Sequence, residues 1–242
     1  VGEVKASASY VAQKEKFAGK AGIESEVRRF EDSISEQEIL SEVNQINSDS
    51  SIHGVIVQLP LPKHISVTKV LNSIDPSKDV DGFTPSNVGK LFLGEDTLVS
   101  CTPKGIMSIL QSADIDLTGK NVTVIGRSNI VGKPVSILCQ QQNATVTMCH
   151  SKTRDLNAKL ADADVIIVAA GVPKFINGDQ IPDGAVVVDV GIHNIDGKLC
   201  GDVDFESASK KASAITPVPG GVGPMTVCAL IENTILAAER TL

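Results

Sequence analysis

Two side chains capable of chemistry lie one helical turn apart near the start of the chain. Tyr10 is the only tyrosine, and Lys14 follows four residues later in the helical pattern "SYVAQKEKFAGKAGI". Residues at i and i+4 share one face of a helix, so the phenol and the amine can face the same ligand. A lysine can move a proton at neutral pH only where desolvation or a neighbouring positive charge lowers the pKa of its ammonium. Ordinary surface helices also produce this spacing, and that interpretation stays open.

Two further polar residues follow apolar segments. Gln58 interrupts the run "GVIVQLPLP", which predicts a buried parallel strand over Val55–Leu59. The carboxyl end of such a strand is where α/β proteins bind ligands. The segment "KDVDGF" places Asp79 and Asp81 in a loop, where a carboxylate can pair with an amino-pyrimidine edge. The Asp81-Gly82 pair is equally an ordinary turn signal.

A glycine turn joins a predicted strand to a predicted helix in the second half of the chain. The strand "NVTVIG" ends at Gly126, and the turn leads through Ser128 to Gly132. This arrangement aims backbone N–H groups and the positive end of a helix at a pyrophosphate. The spacing departs from GxGxxG, because Ser128 takes the second glycine position and one residue is extra. Glycines in strand–helix turns also serve packing alone, so two interpretations remain.

The tip of the next strand indicates which dinucleotide would bind. In NAD enzymes an Asp or Glu at this point usually binds the ribose 2′-hydroxyl. Here the strand "TVTMC" runs into His150, Ser151 and a basic loop with no carboxylate before Asp155. Arg127, His150 and Ser151 can bind a 2′-phosphate through charge-assisted hydrogen bonds. The pattern therefore favours NADP over NAD, although a solvated basic loop would explain the same residues.

Composition excludes several other classes of partner. The 22 Lys and Arg against 29 Asp and Glu give a net charge of −7, and there is no Trp. A nucleic-acid binder needs a basic face and stacking platforms, and a membrane helix needs roughly 18 apolar residues, so we expect neither partner. The five cysteines lack paired CxxC spacing, which predicts neither a metal site nor a disulfide framework. They suit a reducing compartment, and we predict the cytoplasm, although the mitochondrial matrix is reducing as well.

Strand and helix patterns alternate along the chain, which predicts an α/β fold with a parallel sheet covered by helices on both faces. Besides Val55–Leu59, the predicted strands are Val122–Ile125, Thr145–Cys149, Val165–Val168 and Val186–Val190. One predicted helix begins after the cap Ser35, and three others run over 131–142, 155–161 and 225–240. A stiff Pro- and Gly-rich stretch, 216–224, precedes the last of them.

Seven segments together resemble a known family, the bifunctional methylenetetrahydrofolate dehydrogenase/methenyltetrahydrofolate cyclohydrolases. They are "ASYVAQKEKFAGKAGI", "GVIVQLPLP", "KDVDGF", "CTPKGI", "GRSNIVGKP", "ATVTMCHSKT" and "ITPVPGGVGPMT". They occur in the family's order and spacing and span nearly the whole chain, and "TPVPGGVGPMT" and "VQLPLP" are the most specific. The family's N-terminal helix and most of its first strand are missing. Because the chain opens at Val1 without Met, we expect residues to precede it.

The resemblance implies an architecture and an activity. Two α/β domains would enclose a cleft, the second a Rossmann-type doubly wound parallel sheet. The folate-binding domain would comprise residues 1–103 plus 226–242, and the NADP-binding domain residues 104–225. NADP would oxidise 5,10-methylenetetrahydrofolate to the 5,10-methenyl form, which water would convert to 10-formyltetrahydrofolate. The chain would form a homodimer through the Rossmann domain.

The resemblance also implies a role for each matching residue. Tyr10 would stack on the folate, and Lys14 would be the general acid/base of the cyclohydrolase step, oriented by Gln58. Asp81 would hold the pterin ring. The remaining substrate contacts would be Val57, Leu59 and the loop Pro219, Gly220, Gly221, Val222 and Gly223. The NADP site would be lined by Thr102, Gly126, Arg127, Ser128, Ser151 and Ile192.

Two other functions remain at this point. A monofunctional NADP-dependent dehydrogenase would fit better if Lys14 were replaced. A catalytically silent NADP-binding protein has no chemical reason to keep Tyr10, Lys14, Gln58 and Asp81 together.

Overall fold

The computed structural model describes residues 1–2 and 5–241, and the side chains of residues 5–10 lie outside that description. The chain forms two compact units. The first comprises Val1–Lys90, Asp96–Cys101 and Leu230–Leu242, and the second comprises Leu91–Glu95 and Thr102–Ala229. The sequence predicts a folate-binding and an NADP-binding domain with boundaries close to these. That the first unit binds folate and the second NADP stays a prediction.

The second unit is built on a parallel sheet whose strand order is β2-β1-β3-β4-β7. The strands are β1 (Asn121–Ile125), β2 (Thr145–Cys149), β3 (Val165–Val168), β4 (Val186–Asp189) and β7 (Ala214–Ile215). The helices around it are α5 (Cys101–Ser112), α6 (Gly132–Gln141), α7 (Leu156–Leu160) and α8 (Phe205–Ala208). A hairpin of β5 (His193–Ile195) and β6 (Lys198–Cys200) follows β4. The predicted α/β class and doubly wound parallel sheet are confirmed.

Both faces of the central strand β3 are buried, which explains its uninterrupted apolar sequence. Successive side chains along a strand point to opposite faces. Val165 and Ile167 therefore pack in one core with α5 and α6 residues, while Ile166 and Val168 pack in the other core beside Leu160 of α7.

The first unit contains α1 (Lys5–Lys20), α2 (Glu36–Ser48), α3 (Val67–Ser73), most of α4 (Pro85–Leu93) and the end of α9 (Val222–Glu239). The predicted cap of α2 is confirmed. Glu38 N–H donates to Ser35 Oγ at 3.2 Å, and Ser35 N–H donates to Glu38 Oε2 at 2.9 Å. The apolar face that this cap starts packs Ile39 and Val43 against Val70 of α3.

One predicted strand is wrong in the described residues. Over Val55–Leu59 the structure has only an isolated parallel bridge between Val55 and Asp79, with Val55 N–H donating to Lys78 O at 2.8 Å. A strand needs a continuous ladder of hydrogen bonds with a neighbour, and the sequence pattern does not report whether that neighbour is present.

The last helix also begins earlier than predicted, at Val222 instead of Met225. Proline is tolerated in the first turn of a helix, where the N–H has no intrahelical partner, so Pro224 does not delay the start. The helices predicted over 131–142 and 155–161 are shorter by one residue at each end. Among the described residues, no helix combines the length and apolar character needed to cross a membrane.

Candidate active site

In the first unit the amine of Lys14 is held by the side chain of Gln58. Lys14 Nζ donates to Gln58 Oε1 at 3.3 Å, and Gln58 Nε2 donates to Leu59 O at 2.9 Å. Because the amide NH₂ group must face a carbonyl oxygen, the Leu59 carbonyl fixes which end of Gln58 meets the amine. The hydrogen bond through which Gln58 would orient Lys14 is therefore present, and its role in catalysis stays a prediction.

The loop that carries Asp81 is fixed by buried polar contacts. Lys78 is 7% exposed and donates three hydrogen bonds of 2.6–2.9 Å to carbonyl oxygens at the end of α2. Asp79 is 1% exposed and accepts from Thr84 N–H at 2.7 Å and from the Asn87 amide at 3.0 Å. The side-chain hydrogen bonds of Lys78 and Asp79 thus fix the chain just before Asp81 to the end of α2 and to the segment that follows Asp81.

Gly82 completes this loop in a conformation that a side chain would not permit. Its φ is +70°, and a Cβ atom there would lie 2.5 Å from Ser100 N and 2.6 Å from Val99 C. The Asp81-Gly82 pair is therefore a turn, as one interpretation of the sequence expected, and it also places a carboxylate beside the amine of Lys14.

The carboxyl group of Asp81 is half-buried, and its environment perturbs its acidity. Burial raises the pKa of Asp81 because it disfavours the charged form, while the nearby ammonium of Lys14 lowers it and the charge of Asp79 raises it further. A hydrogen bond from the thiol of Cys101, with Sγ 3.9 Å from Asp81 Oδ1, lowers it slightly. A perturbed carboxyl next to an amine marks this region as a candidate catalytic site.

Two residues that support this loop were not among the predicted site residues. The thiol of Cys101, one of the five cysteines for which no metal site or disulfide is predicted, also contacts the Val80 carbonyl oxygen at 3.2 Å. Asn233, 1% exposed in α9, donates to the carbonyl oxygens of Val80 at 2.9 Å and Val99 at 2.8 Å. A lone amide within the apolar run of α9 was the available signal, since a buried amide needs partners.

The structure describes three other predicted folate contacts to different extents. The backbone of Tyr10 lies in α1, but its side chain is outside the described residues. Val57 packs against the α2–α3 core, and Leu59 is half-buried and gives its carbonyl oxygen to Gln58. The ligand contacts of all three stay predictions.

In the second unit the glycine turn has the geometry that the sequence predicts, for a steric reason. A Cβ atom on Gly132 would overlap the carbonyl group of Gly126, and a Cβ atom on Gly126 would overlap the carbonyl oxygen of Ala169. Both glycines are thus needed for the close packing of the turn on itself and on the loop after β3. This packing would hold without a ligand, so it does not by itself decide between the two interpretations.

Ser128 occupies the first N–H groups of α6. Its Oγ accepts from Val131 N–H at 3.1 Å and from Gly132 N–H at 3.3 Å, while its carbonyl oxygen accepts from Lys133 N–H at 3.0 Å. A hydroxyl has two lone pairs and one proton, so Ser128 can meet a phosphate oxygen as a donor. Arg127, beside it, is exposed.

The tip of β2 is ordered by its own side chains. His150 N–H donates to Thr153 Oγ1 at 2.8 Å, and Lys152 N–H donates to His150 Nδ1 at 3.1 Å. Since Nδ1 accepts, Nε2 carries the ring proton and is the nitrogen able to donate to an anion. Ser151 is exposed at the same tip.

The remaining predicted contacts lie in the second unit near the start of α9. Thr102 Oγ1 is 3.1 Å from Thr226 Oγ1. Pro219 and Gly220 are exposed, with φ +107° at Gly220, and Gly221 packs on the backbone before them. The side chain of Val222 is buried in the sheet core, so only its backbone can face a ligand here. A Cβ atom on Gly223 would lie 3.5 Å from Cδ1 of Ile192, which brings these two predicted residues together.

Fold and sites define an α/β protein with one Rossmann-type unit that carries a glycine turn and one unit that carries an amine–carboxylate site. Two models of tetrahydrofolate dehydrogenase/cyclohydrolase match the chain, the catalytic domain over residues 1–81 and the NAD(P)-binding domain over residues 100–242. The chain belongs to this family, and it is a bifunctional enzyme, a dehydrogenase and a cyclohydrolase.

Individual relatives agree with the family models. The chain is 55% identical to the bifunctional protein FolD of Bacillus licheniformis, over 100% of this chain and 86% of that protein. The bifunctional FolD of Campylobacter jejuni superimposes with a TM-score of 0.98 at 49% identity, over 100% and 86% of the two chains. FolD of Trypanosoma brucei, solved with NADP cofactor and inhibitor, gives 0.94 at 38% identity, over 99% and 84%.

Proposed function

We propose that this enzyme oxidises 5,10-methylenetetrahydrofolate with NADP and hydrolyses the resulting 5,10-methenyl compound to 10-formyltetrahydrofolate, with Lys14 as the proton carrier of the hydrolysis. The observation that carries the assignment is the hydrogen bond of Lys14 Nζ to Gln58, 3.3 Å long, beside the perturbed carboxyl of Asp81. The first unit would bind the folate and the second unit NADP.

The oxidation needs little from the protein's acids and bases. A hydride leaves the one-carbon bridge for the nicotinamide, and the folate nitrogens stabilise the cation that forms. The protein's contribution is proximity and orientation, while the nicotinamide supplies the chemistry. This half of the reaction therefore depends on how the glycine turn and its neighbours hold NADP.

The hydrolysis needs proton transfer. Water adds to the methenyl carbon and loses a proton, then the bond from this carbon to one folate nitrogen breaks as that nitrogen gains a proton. The Lys14 amine is suited to take the first proton and return the second. Gln58 orients it without a negative charge, and Asp81 is suited to hold the amino-pyrimidine edge of the pterin through charge-assisted hydrogen bonds.

Preference for NADP over NAD is supported by the tip of β2. Arg127, Ser151 and Nε2 of His150 are donors suited to a 2′-phosphate, and no carboxylate stands at the tip to accept a ribose hydroxyl. Ser128 adds a hydroxyl donor at the glycine turn.

The proposal also includes an oligomeric state and a cellular location. A homodimer through the second unit is supported by apolar side chains of the β5–β6 hairpin, because Ile195 and Leu199 are each 45% exposed. A cytoplasmic location is supported by the five cysteines, which form no disulfide among the described residues and suit a reducing compartment. Sedimentation equilibrium of the purified chain checks the first of these.

The test of the proposed function separates the two activities. Methylenetetrahydrofolate with NADP should give the absorbance band of the reduced nicotinamide, and methenyltetrahydrofolate supplied without NADP should lose its own band faster than in buffer. Reduction of NADP without accelerated hydrolysis would make the chain a monofunctional dehydrogenase. Binding of NADP with neither reaction would make it a silent nucleotide-binding protein.

A further inference from the structure

Two buried aspartates lie where the central strands of the second unit end. Asp202 is 0% exposed and Asp189, the last residue of β4, is 3% exposed. Buried carboxylates are unfavourable unless they are paired or hydrogen-bonded. Neither residue belongs to a motif that the sequence analysis singled out, and both are fully engaged.

Asp202 holds the loop that follows β3. Its Oδ2 accepts from Ala170 N–H at 2.7 Å and from Gly171 N–H at 2.8 Å, and its Oδ1 accepts from His193 Nε2 at 2.7 Å. The carboxylate therefore joins the segment after β3 to the start of the β5–β6 hairpin. Hydrogen bonds to an ionised acceptor are among the stronger ones in proteins.

The loop that Asp202 holds packs against the glycine turn. Ala169 N–H donates to Ile125 O at 2.7 Å, and the Ala169 carbonyl oxygen fills the space where a Cβ atom of Gly126 would stand. The position of Ala169 follows from that of Ala170, whose N–H Asp202 fixes. A displacement of this loop would therefore move the turn between β1 and α6.

The same network reaches the loop after β4. Asp189 Oδ1 accepts from Gly191 N–H and from Asp202 N–H, each at 2.9 Å, and Oδ2 accepts from Val203 N–H at 2.9 Å. Gly191 leads directly to Ile192. The two carboxylates thus link the segments that follow β3 and β4, and the Ala169 N–H to Ile125 O bond connects them to the end of β1, at the edge where α/β sheets bind ligands.

We propose that Asp202 is a positioning residue for the dinucleotide: it contacts no substrate, but it holds the loops after β3 and β4 in the geometry that accepts NADP. This inference rests on the proposed function, since it assumes that the dinucleotide binds at the glycine turn. Replacing the carboxylate leaves two neighbouring backbone N–H groups without an acceptor, so the loop relaxes and the cofactor site with it.

The experiment measures NADP binding by calorimetry for Asp202→Ala, Asp202→Asn and Asp204→Ala. Loss of the acceptor in Asp202→Ala should raise the Kd for NADP about tenfold or more, since one hydrogen bond to a charged group is worth about that factor. In Asp202→Asn the amide oxygen accepts from the two N–H groups and its NH₂ donates to a neutral His193, so most affinity should return. Asp204→Ala is the matched control, because this carboxylate bonds Ser207 and pairs with Lys174.

Hydrolysis of methenyltetrahydrofolate, assayed without NADP, distinguishes positioning from a general loss of fold. We expect it to stay near the unaltered rate in Asp202→Ala. An unchanged Kd for NADP in folded Asp202→Ala, or a parallel loss of both properties, would overturn the proposal. Should Asp202→Ala not fold, His193→Ala decides the question, since removal of this outer partner should also weaken NADP and an unchanged Kd would refute the role. Failure of the unaltered protein to bind NADP would instead refute the proposed function.

Discussion

The two candidate sites are built in opposite ways. In the second unit the glycine turn lies within seven consecutive residues, Gly126–Gly132, and its shape follows from the absence of two side chains. In the first unit Lys14 and Gln58 meet across 44 positions of sequence, and Asp81 comes from a third segment. The comparison teaches that a binding turn can be encoded locally, whereas a proton-transfer site requires polar side chains that only tertiary packing brings together.

The largest effect on stability is expected from adding one methyl group to the turn. In Gly132→Ala the new Cβ atom would overlap the Gly126 carbonyl group, so the backbone must shift. Overpacking of this kind costs about 1–3 kcal/mol in the free energy of unfolding, and NADP binding should fall with it. Gly89→Ala is the matched control, because Gly89 lies in α4 with nothing within 4 Å of its Cβ position. It should stabilise the protein by about 0.5–1 kcal/mol, as Ala does in helices. Equal urea midpoints for the two variants would contradict this view of the turn.

A more selective effect, of similar size, is expected from Arg127→Ala. The guanidinium is expected to bind the 2′-phosphate, and one charge-assisted contact is worth about 1.5–3 kcal/mol, or roughly ten- to a hundredfold in affinity. Affinity for NADP should therefore fall by that factor while affinity for NAD changes little. Titration of both nucleotides checks this, and equal binding of NAD and NADP by the unaltered protein would be evidence against the assignment.

The smallest effect concerns stability and pH in the first unit. Burial raises the pKa of Asp81 in the folded protein, so the unfolded chain ionises at lower pH than the folded one. The contribution of Asp81 to the free energy of unfolding is therefore most favourable below pH 3.8, the ordinary pKa of this group, and it is lost as the pH rises above that value. Asp81→Asn should match the unaltered protein below that pH and exceed it in urea midpoint at neutral pH.

Asp75→Asn supplies the opposite case for this pH test. Hydrogen bonds from Ser77 lower the pKa of Asp75, so its contribution to stability is present at neutral pH and lost on acidification. This variant should be less stable than the unaltered protein at neutral pH. The same direction of change in both variants would show that the two carboxyl groups do not differ as described.

Much of the second unit could be predicted from the sequence, because apolar β-branched runs and glycines act through local geometry. The cap at Ser35 was predictable for the same reason, since both of its partners lie within four residues. The strand expected over Val55–Leu59 failed because pairing depends on a neighbouring segment. The predicted start of the last helix at residue 225 was wrong because the Pro- and Gly-rich stretch 216–224 was assigned wholly to a loop, whereas α9 starts at Val222 and tolerates Pro224 in its first turn.

Residues that position other segments through hydrogen bonds could not be identified from sequence motifs. Asn233 bonds the Val80 carbonyl oxygen across 153 positions, and Asp202 bonds Ala170 N–H across 32. Neither contact follows from spacing or periodicity. The lone amide of Asn233 in an apolar run signals a buried polar group, but its partners, like those of Asp202, are not identified until the fold is known.

The central claim is that Lys14 carries the hydrolysis but not the oxidation, and one measurement tests it most directly. Lys14→Met is mixed with methylenetetrahydrofolate and NADP, and the reduced cofactor, methenyltetrahydrofolate and 10-formyltetrahydrofolate are followed together. Loss of a general acid/base lowers a rate about a hundred- to ten-thousandfold, so methenyltetrahydrofolate should accumulate while NADP is still reduced. Lys16→Met, an exposed lysine two positions along the same helix, should behave as the unaltered protein. Undiminished formation of 10-formyltetrahydrofolate, or loss of both reactions in folded Lys14→Met, would contradict the account.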